Sequence, residues 1–169
     1  MAIGRNVTDI VQLSEAGLVR KAIAAVEIIG GAMGALLFLR HALNVGPTNP
    51  NVWRVAPLPI AAFTLCVVAG ALLWRQTTVG RVLTLIALAL QVPSVRTATL
   101  GYAFSVGIGF RVLVGSHGVS QFAFWGSELH LTLREAAPHT TIGVNIVALA
   151  FGVIVWAGRP RGRPRRGPV

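Results

Sequence analysis

At 169 residues the chain has room for one domain; 54% of it is apolar and only 12% is charged, about half the charged fraction of a soluble globule. Fifteen Lys and Arg against five Asp and Glu leave a formal charge of +10. The cations sit at the ends of apolar runs, as the positive-inside rule distributes them, and no basic, aromatic-laced face offers itself to nucleic acid. The single cysteine, Cys66, excludes an internal disulfide and a cysteine metal cluster.

Residues 1–21 read as an amphipathic, interfacial segment. Ile3, Val7, Ile10, Val11, Ser14 and Leu18 recur at helical spacing, with Arg5, Asp9, Gln12 and Glu15 on other sides. Residues 22–97 are expected to hold three transmembrane helices. The first, 22–39, follows Arg20-Lys21 and is broken only by Glu27; with no small-x-small cleavage site it reads as a retained anchor rather than a signal peptide. The second covers about 56–74, with Pro57 and Pro59 tolerated in its first turn. The third runs from Arg81 to about 95 and contains Gln91 and Pro93.

The period then changes. Over 98–134 bulky residues alternate with small or polar ones: Leu100, Tyr102, Phe104, Val106, Ile108, Phe110, Val112 and Val114 against Gly101, Ala103, Ser105, Gly107, Gly109 and Arg111. That is the period of a strand with one apolar face. Residues 115–118 give a turn, and a second run returns through Arg134. Setting Val114 opposite Val119 makes paired positions sum to 233. Ile108 then meets Trp125, Phe104 meets Leu129 and Tyr102 meets Leu131 on one face. The other face collects Arg111 with Phe122, Gly109 with Phe124, Ser105 with Glu128 and Ala103 with His130. One register sorts both strands, which chance alternation rarely does. Strands this long require a twist and a bulge near Gly107 or Gly126.

Residues 135–158 hold a linker and a last span, 140–157, with Asn145 near its start; residues 159–169 form a basic cytoplasmic tail. Reading 98–115 as a fifth helix conflicts with the alternation. It would also separate the terminal arginines from Arg20 and Lys21. The expected fold is therefore mainly α and membrane-integral: four transmembrane helices, an N-terminal amphipathic helix, and a long β-hairpin inserted between helices 3 and 4. The expected location is a bacterial inner membrane, with both termini cytoplasmic and the hairpin periplasmic.

Chemistry-bearing residues are sparse. Glu27 is the sharpest, since an intramembrane carboxylate is a functional hypothesis by default; pairing with Arg81 or Arg75 is the structural reading. Gly30, Gly31 and Gly34 continue its face as a helix-packing surface. Gln91 and Asn145 are expected to hydrogen-bond each other. On the polar hairpin face, Arg111, Phe122, Phe124, Glu128, His130 and Arg134 form a candidate partner contact. Arg159, Arg161, Arg163, Arg165 and Arg166 suit anionic lipid headgroups or an acidic neighbour. The four histidines have no metal-site spacing, and nucleophile triads, phosphate loops and paired catalytic carboxylates are absent, so no cofactor is indicated. The functional expectation is a non-catalytic accessory or scaffold subunit of a larger membrane complex, for example a respiratory or photosynthetic assembly. The alternative is a small oligomeric transporter or channel using Glu27, Gln91 and Asn145.

Overall fold

Neither proline nor a turn signal interrupts the chain between Val7 and Val45, and in the computed structural model α1 (Val7–Val45) is one helix of 39 residues, about 58 Å long. The structure describes residues 7–49, 51–116, 118–133 and 139–158; His117, Arg134 and the tail arginines lie outside them. The separate surface helix expected over 1–21 is, in its described part, the first turns of α1. Arg20 and Lys21 change the polarity of the run but are good helix formers, so they do not end it.

A short α2 (Asn51–Val55) precedes α3 (Pro57–Trp74), which carries prolines in its first turn and packs along α1. Thr77 caps α4 (Thr78–Gln91), its hydroxyl accepting the Gly80 N–H at 2.9 Å. Asn145 caps α5 (Ile146–Ala157), accepting from the Ala148 amide at 3.4 Å.

These helices do not make four transmembrane spans. Within α1 the stretch Gly17–Val45, and the whole of α3, are long and apolar enough to cross a membrane; α4 and α5, with 14 and 12 residues, are not. They reach only about 21 and 18 Å against a hydrocarbon core of about 30 Å. Pro93 cannot donate the next helical hydrogen bond, so α4 stops at Gln91. The first six residues of the expected last span, 140–145, are not helical either. Thr141, Ile142 and Val144 are β-branched, and the segment forms a strand up to the capping Asn145.

The second correction concerns the hairpin, which is not a lone two-stranded ribbon. Its strands divide into β2 (Leu100–Ser105), β3 (Ile108–Gly115), β4 (Gly118–Trp125) and β5 (Glu128–Leu133). Two further strands, β1 (Pro93–Arg96) and β6 (Thr141–Asn145), complete a six-stranded antiparallel sheet in the order β4-β3-β6-β1-β2-β5. The register within the hairpin is the one the alternation implies: Ile108 pairs with Trp125, Arg111 with Phe122, Phe104 with Leu129, and Ala103 with His130. What alternation does not reveal is that the ribbon folds at its middle. One leg is β2 with β5, the other is β3 with β4, and β1 and β6 fill the wedge between them.

Glycines make the fold line. Gly107 and Gly126 adopt φ of 77° and 132°, values that side-chain-bearing residues rarely take. The Gly126 amide donates to the Gly107 carbonyl at 2.6 Å.

Two apolar clusters join the layers. Ile23, Leu73, Leu88, Ala148 and Val155 knit α1, α3, α4 and α5 together at the end bearing Arg20. Further along, Phe63, Cys66, Ala69 and Ala87 of α3 and α4 receive Phe104 and Val106 from the apolar face of the sheet. The Phe63 and Phe104 rings lie 5.6 Å apart, tilted by 56°, and burying Phe104 contributes about 1.5–3 kcal/mol.

Gly126→Ala introduces no side-chain clash and should lower stability by about 1–3 kcal/mol through backbone strain alone. Gly107→Ala should be worse, because its Cβ would come within 2.6 Å of Val26 Cγ1. Chemical-denaturation midpoints of the variants check both the sign and the order.

Candidate functional site

Buried polar groups gather at two places, both near the fold line of the sheet. The first lies among the helices. Glu27 on α1 is 1% exposed, and its Oε1 accepts from Gln91 Nε2 of α4 at 3.0 Å. The other end of the same amide, Gln91 Oε1, accepts the Val106 backbone N–H at 3.0 Å. Gln91 thus supplies the hydrogen bond that Val106 loses where the strand bends. Cys66 Sγ stands 3.9 Å from Gln91 Nε2, and Glu27 Oε2 has no partner among the described residues.

This geometry revises three sequence-based pairings. Glu27 is engaged through Oε1 by Gln91 rather than by Arg81 or Arg75. Gln91 does not meet Asn145, whose side chain caps α5 and whose amide donates to the Val92 carbonyl at 2.8 Å. Arg81 and Arg20 instead reach the carbonyls of Trp156 and Gly158 at the C-terminal end of α5, where cations oppose the helix dipole. The glycines also divide their work. A Cβ on Gly31 or Gly34 would strike Val67 or the Phe63 ring of α3, whereas one on Gly30 would strike Val106 and Gly107 of the sheet. Ser127 Oγ donates to the Gly30 carbonyl at the same contact.

The second gathering lines the inner face of the folded sheet. Register places Ser94, Ala103, Ser105, Arg111, Phe122, Glu128 and His130 on one side, and the fold turns that side into a concavity. Arg111 is 5% exposed and reaches from one leg to the other. Its Nη2 donates to Ser105 Oγ at 3.3 Å, and Nη1 lies 3.6 Å from Glu128 Oε2. Phe122 and Phe124 cover its guanidinium, with ring centroids 5.6 and 5.1 Å from Cζ. Gly109 makes room for this, since any Cβ there would collide with the Phe124 ring. Beside Arg111 opens a cleft of about 480 Å³ whose walls include Ser94, Arg96, Ser120, His130 and Thr141.

Among the described residues, no group of three His, Cys, Asp or Glu side chains could hold a metal ion. Of the candidate partner residues, Arg111, Phe122, Phe124 and Glu128 come together, and His130 shares their face. Ser94, Arg96 and Thr141 were not among the candidates. In the sequence their strands lie at the ends of apolar runs that read as helices, so no register ties them to Arg111.

No known protein family, curated protein or solved structure matches the chain.

Gln91→Leu should cost about 3 kcal/mol or more, because it orphans both the Val106 amide and the Glu27 carboxyl group in a buried setting. Glu27→Gln keeps an acceptor oxygen for Gln91 and should be much milder. Thermal unfolding of the two variants side by side tests the ranking; equal losses would reject the bridging role of Gln91.

Proposed function

We propose that the chain is a non-catalytic accessory subunit of a larger membrane protein complex, held in the bilayer by α1 and α3. The observation that supports this reading best is a bare apolar surface on the sheet. The outer face of β3, β4 and β6 presents Ile108, Val114, Val119, Trp125, Ile142 and Val144, with Trp125 at 80% and Val119 at 71% exposure. Water disfavours such a patch. Lipid does not suit it either, because β4 is an edge strand exposed along almost its whole length, and unpaired backbone groups in hydrocarbon cost several kcal/mol each. A protein partner accommodates both features, covering the apolar face and satisfying the edge.

The helices supply the membrane part of the reading. Ile29, Leu36, Leu37, Leu43, Leu58 and Val68 are exposed on α1 and α3. Arg20, Lys21, Arg75 and Arg81 collect at one end of the helices, and Arg40 and Arg54 at the other. By the positive-inside rule the first end is cytoplasmic in a bacterial inner membrane. The sheet, packed beside Ala35, Phe38 and Ala62, then lies toward the periplasmic side. The transporter alternative draws less support from the geometry. Glu27 and Gln91 are engaged with each other and with Val106, and Asn145 is engaged as a cap. Neither described cleft is lined by any of the three.

In native membranes solubilised with a mild detergent, the wild-type chain should migrate on a native gel within an assembly larger than itself. The double variant Trp125→Ser, Val119→Ser should be released as the free chain with its own thermal stability nearly unchanged, since both side chains are bare. A wild-type chain that runs alone, or only as copies of itself, overturns the proposal.

A further inference from the structure

Arg111 is under-satisfied for a buried cation. A guanidinium offers five N–H donors. Here one hydroxyl accepts at 3.3 Å and a half-exposed carboxylate stands at 3.6 Å, beyond ordinary charge-assisted hydrogen-bond length. Arg111 Nε has no partner. Across the same cleft Ser94 Oγ is also buried and also without a partner. Two buried polar groups lacking partners on one cavity wall are what remains when the group that satisfies them is missing.

The walls define what that group is. The buried Arg111 carries a positive charge with an unpartnered Nε–H, and the unpartnered Ser94 hydroxyl lies on the same wall, so the group that satisfies them is an anion that accepts hydrogen bonds. Phe122 and Phe124, whose rings lie 6.0 Å apart, flank the Arg111 guanidinium from one side, and the unpartnered Nε–H leaves an N–H edge whose geometry a planar carboxylate matches. A volume of about 480 Å³ exceeds an inorganic ion and lies within the range of small-molecule sites. Leu113 and Phe122 supply apolar wall for an organic body, and Ser120 and Thr141 supply hydroxyls.

We propose that the cleft inside the folded sheet binds a small organic carboxylate, with its carboxylate group against Arg111 and Ser94. The inference is independent of the accessory-subunit reading. It stands or falls on the cleft, whether or not the outer face of the sheet carries a partner.

The test uses the full chain in nanodiscs of zwitterionic lipid, with 4-fluorobenzoate as probe and ¹⁹F line broadening as readout; broadening by empty nanodiscs is subtracted. 4-Fluorobenzamide serves as the uncharged isostere, and phenyl phosphate as the dianionic competitor. The acid should bind, and the amide should bind roughly tenfold more weakly or less. Arg111→Gln should abolish the discrimination between acid and amide. Ser120→Trp fills the cleft from an exposed position on β4 and should block the acid while leaving the unfolding temperature unchanged. That variant decides the matter if Arg111→Gln fails to fold. Equal binding of acid and amide, undiminished acid binding in Ser120→Trp, tighter binding of phenyl phosphate than of the acid, or no acid binding at millimolar concentration would each overturn the proposal.

Discussion

The backbone amide of Val106 is the point on which this structure turns. A continuous strand would satisfy it from a neighbouring strand, but the ribbon folds there and the ladder is interrupted. Gln91 replaces the lost acceptor, and Gln91 is in turn oriented by Glu27. A single side-chain amide therefore ties α1, α4 and the fold line of the sheet to one another. A carboxylate buried in a long apolar helix invites a transport interpretation. In this chain its visible engagement is with the group that receives the bent strand.

Close approach of backbones makes that arrangement possible. Gly30 lets α1 touch the fold line at Val106 and Gly107, and Gly109 lets Phe124 lie flat against β3 beneath the Arg111 guanidinium. The helix and the sheet thus contribute opposite halves of one contact. On the concave side Arg111 spans the two legs toward Ser105 and Glu128, so the angle of the fold is held from inside by a charge as well as from outside by the helices. A charge in that position is expensive unless fully partnered, which is why the cleft beside it carries chemical meaning.

The sequence was most informative where one face is apolar and the other is not. Strict alternation across 100–133 specifies which residue faces which, because a slip of one position would turn Phe104 and Ile108 to the wrong side. It therefore placed Arg111, Phe122, Phe124 and Glu128 together. Hydropathy misled where apolar residues serve two kinds of element. Thr141 to Asn145 reads as the start of a spanning helix, although its β-branched residues and the capping Asn145 carry a strand-then-helix signal. Pro93 to Arg96 is too short to show alternation at all, and it lay concealed at the end of an apolar helical run. With β1 and β6 unseen, the wedge that bends the hairpin was also unseen, and with it the concavity. A linear reading offers Glu27 only charge pairing, and so points it to arginines. That a neutral amide sixty-four residues away fills the role depends on where α4 stops.

The order of strands imposes a sequence of events on synthesis. β1 emerges well before β6, yet the two lie side by side in the middle of the sheet, with the entire ribbon made between them. Until Asn145 has left the ribosome, the two legs of the ribbon have nothing to close upon, and each keeps one edge open. The α5 segment that follows immediately supplies the carbonyls taken by Arg20 and Arg81, joining the newest part of the chain to the oldest described helix. Completion of the sheet and closure of the helical layer thus both depend on the stretch from Thr141 to Gly158. A nascent chain halted before Asn145 exposes unpaired strand edges, the feature that makes partly folded sheets prone to aggregate.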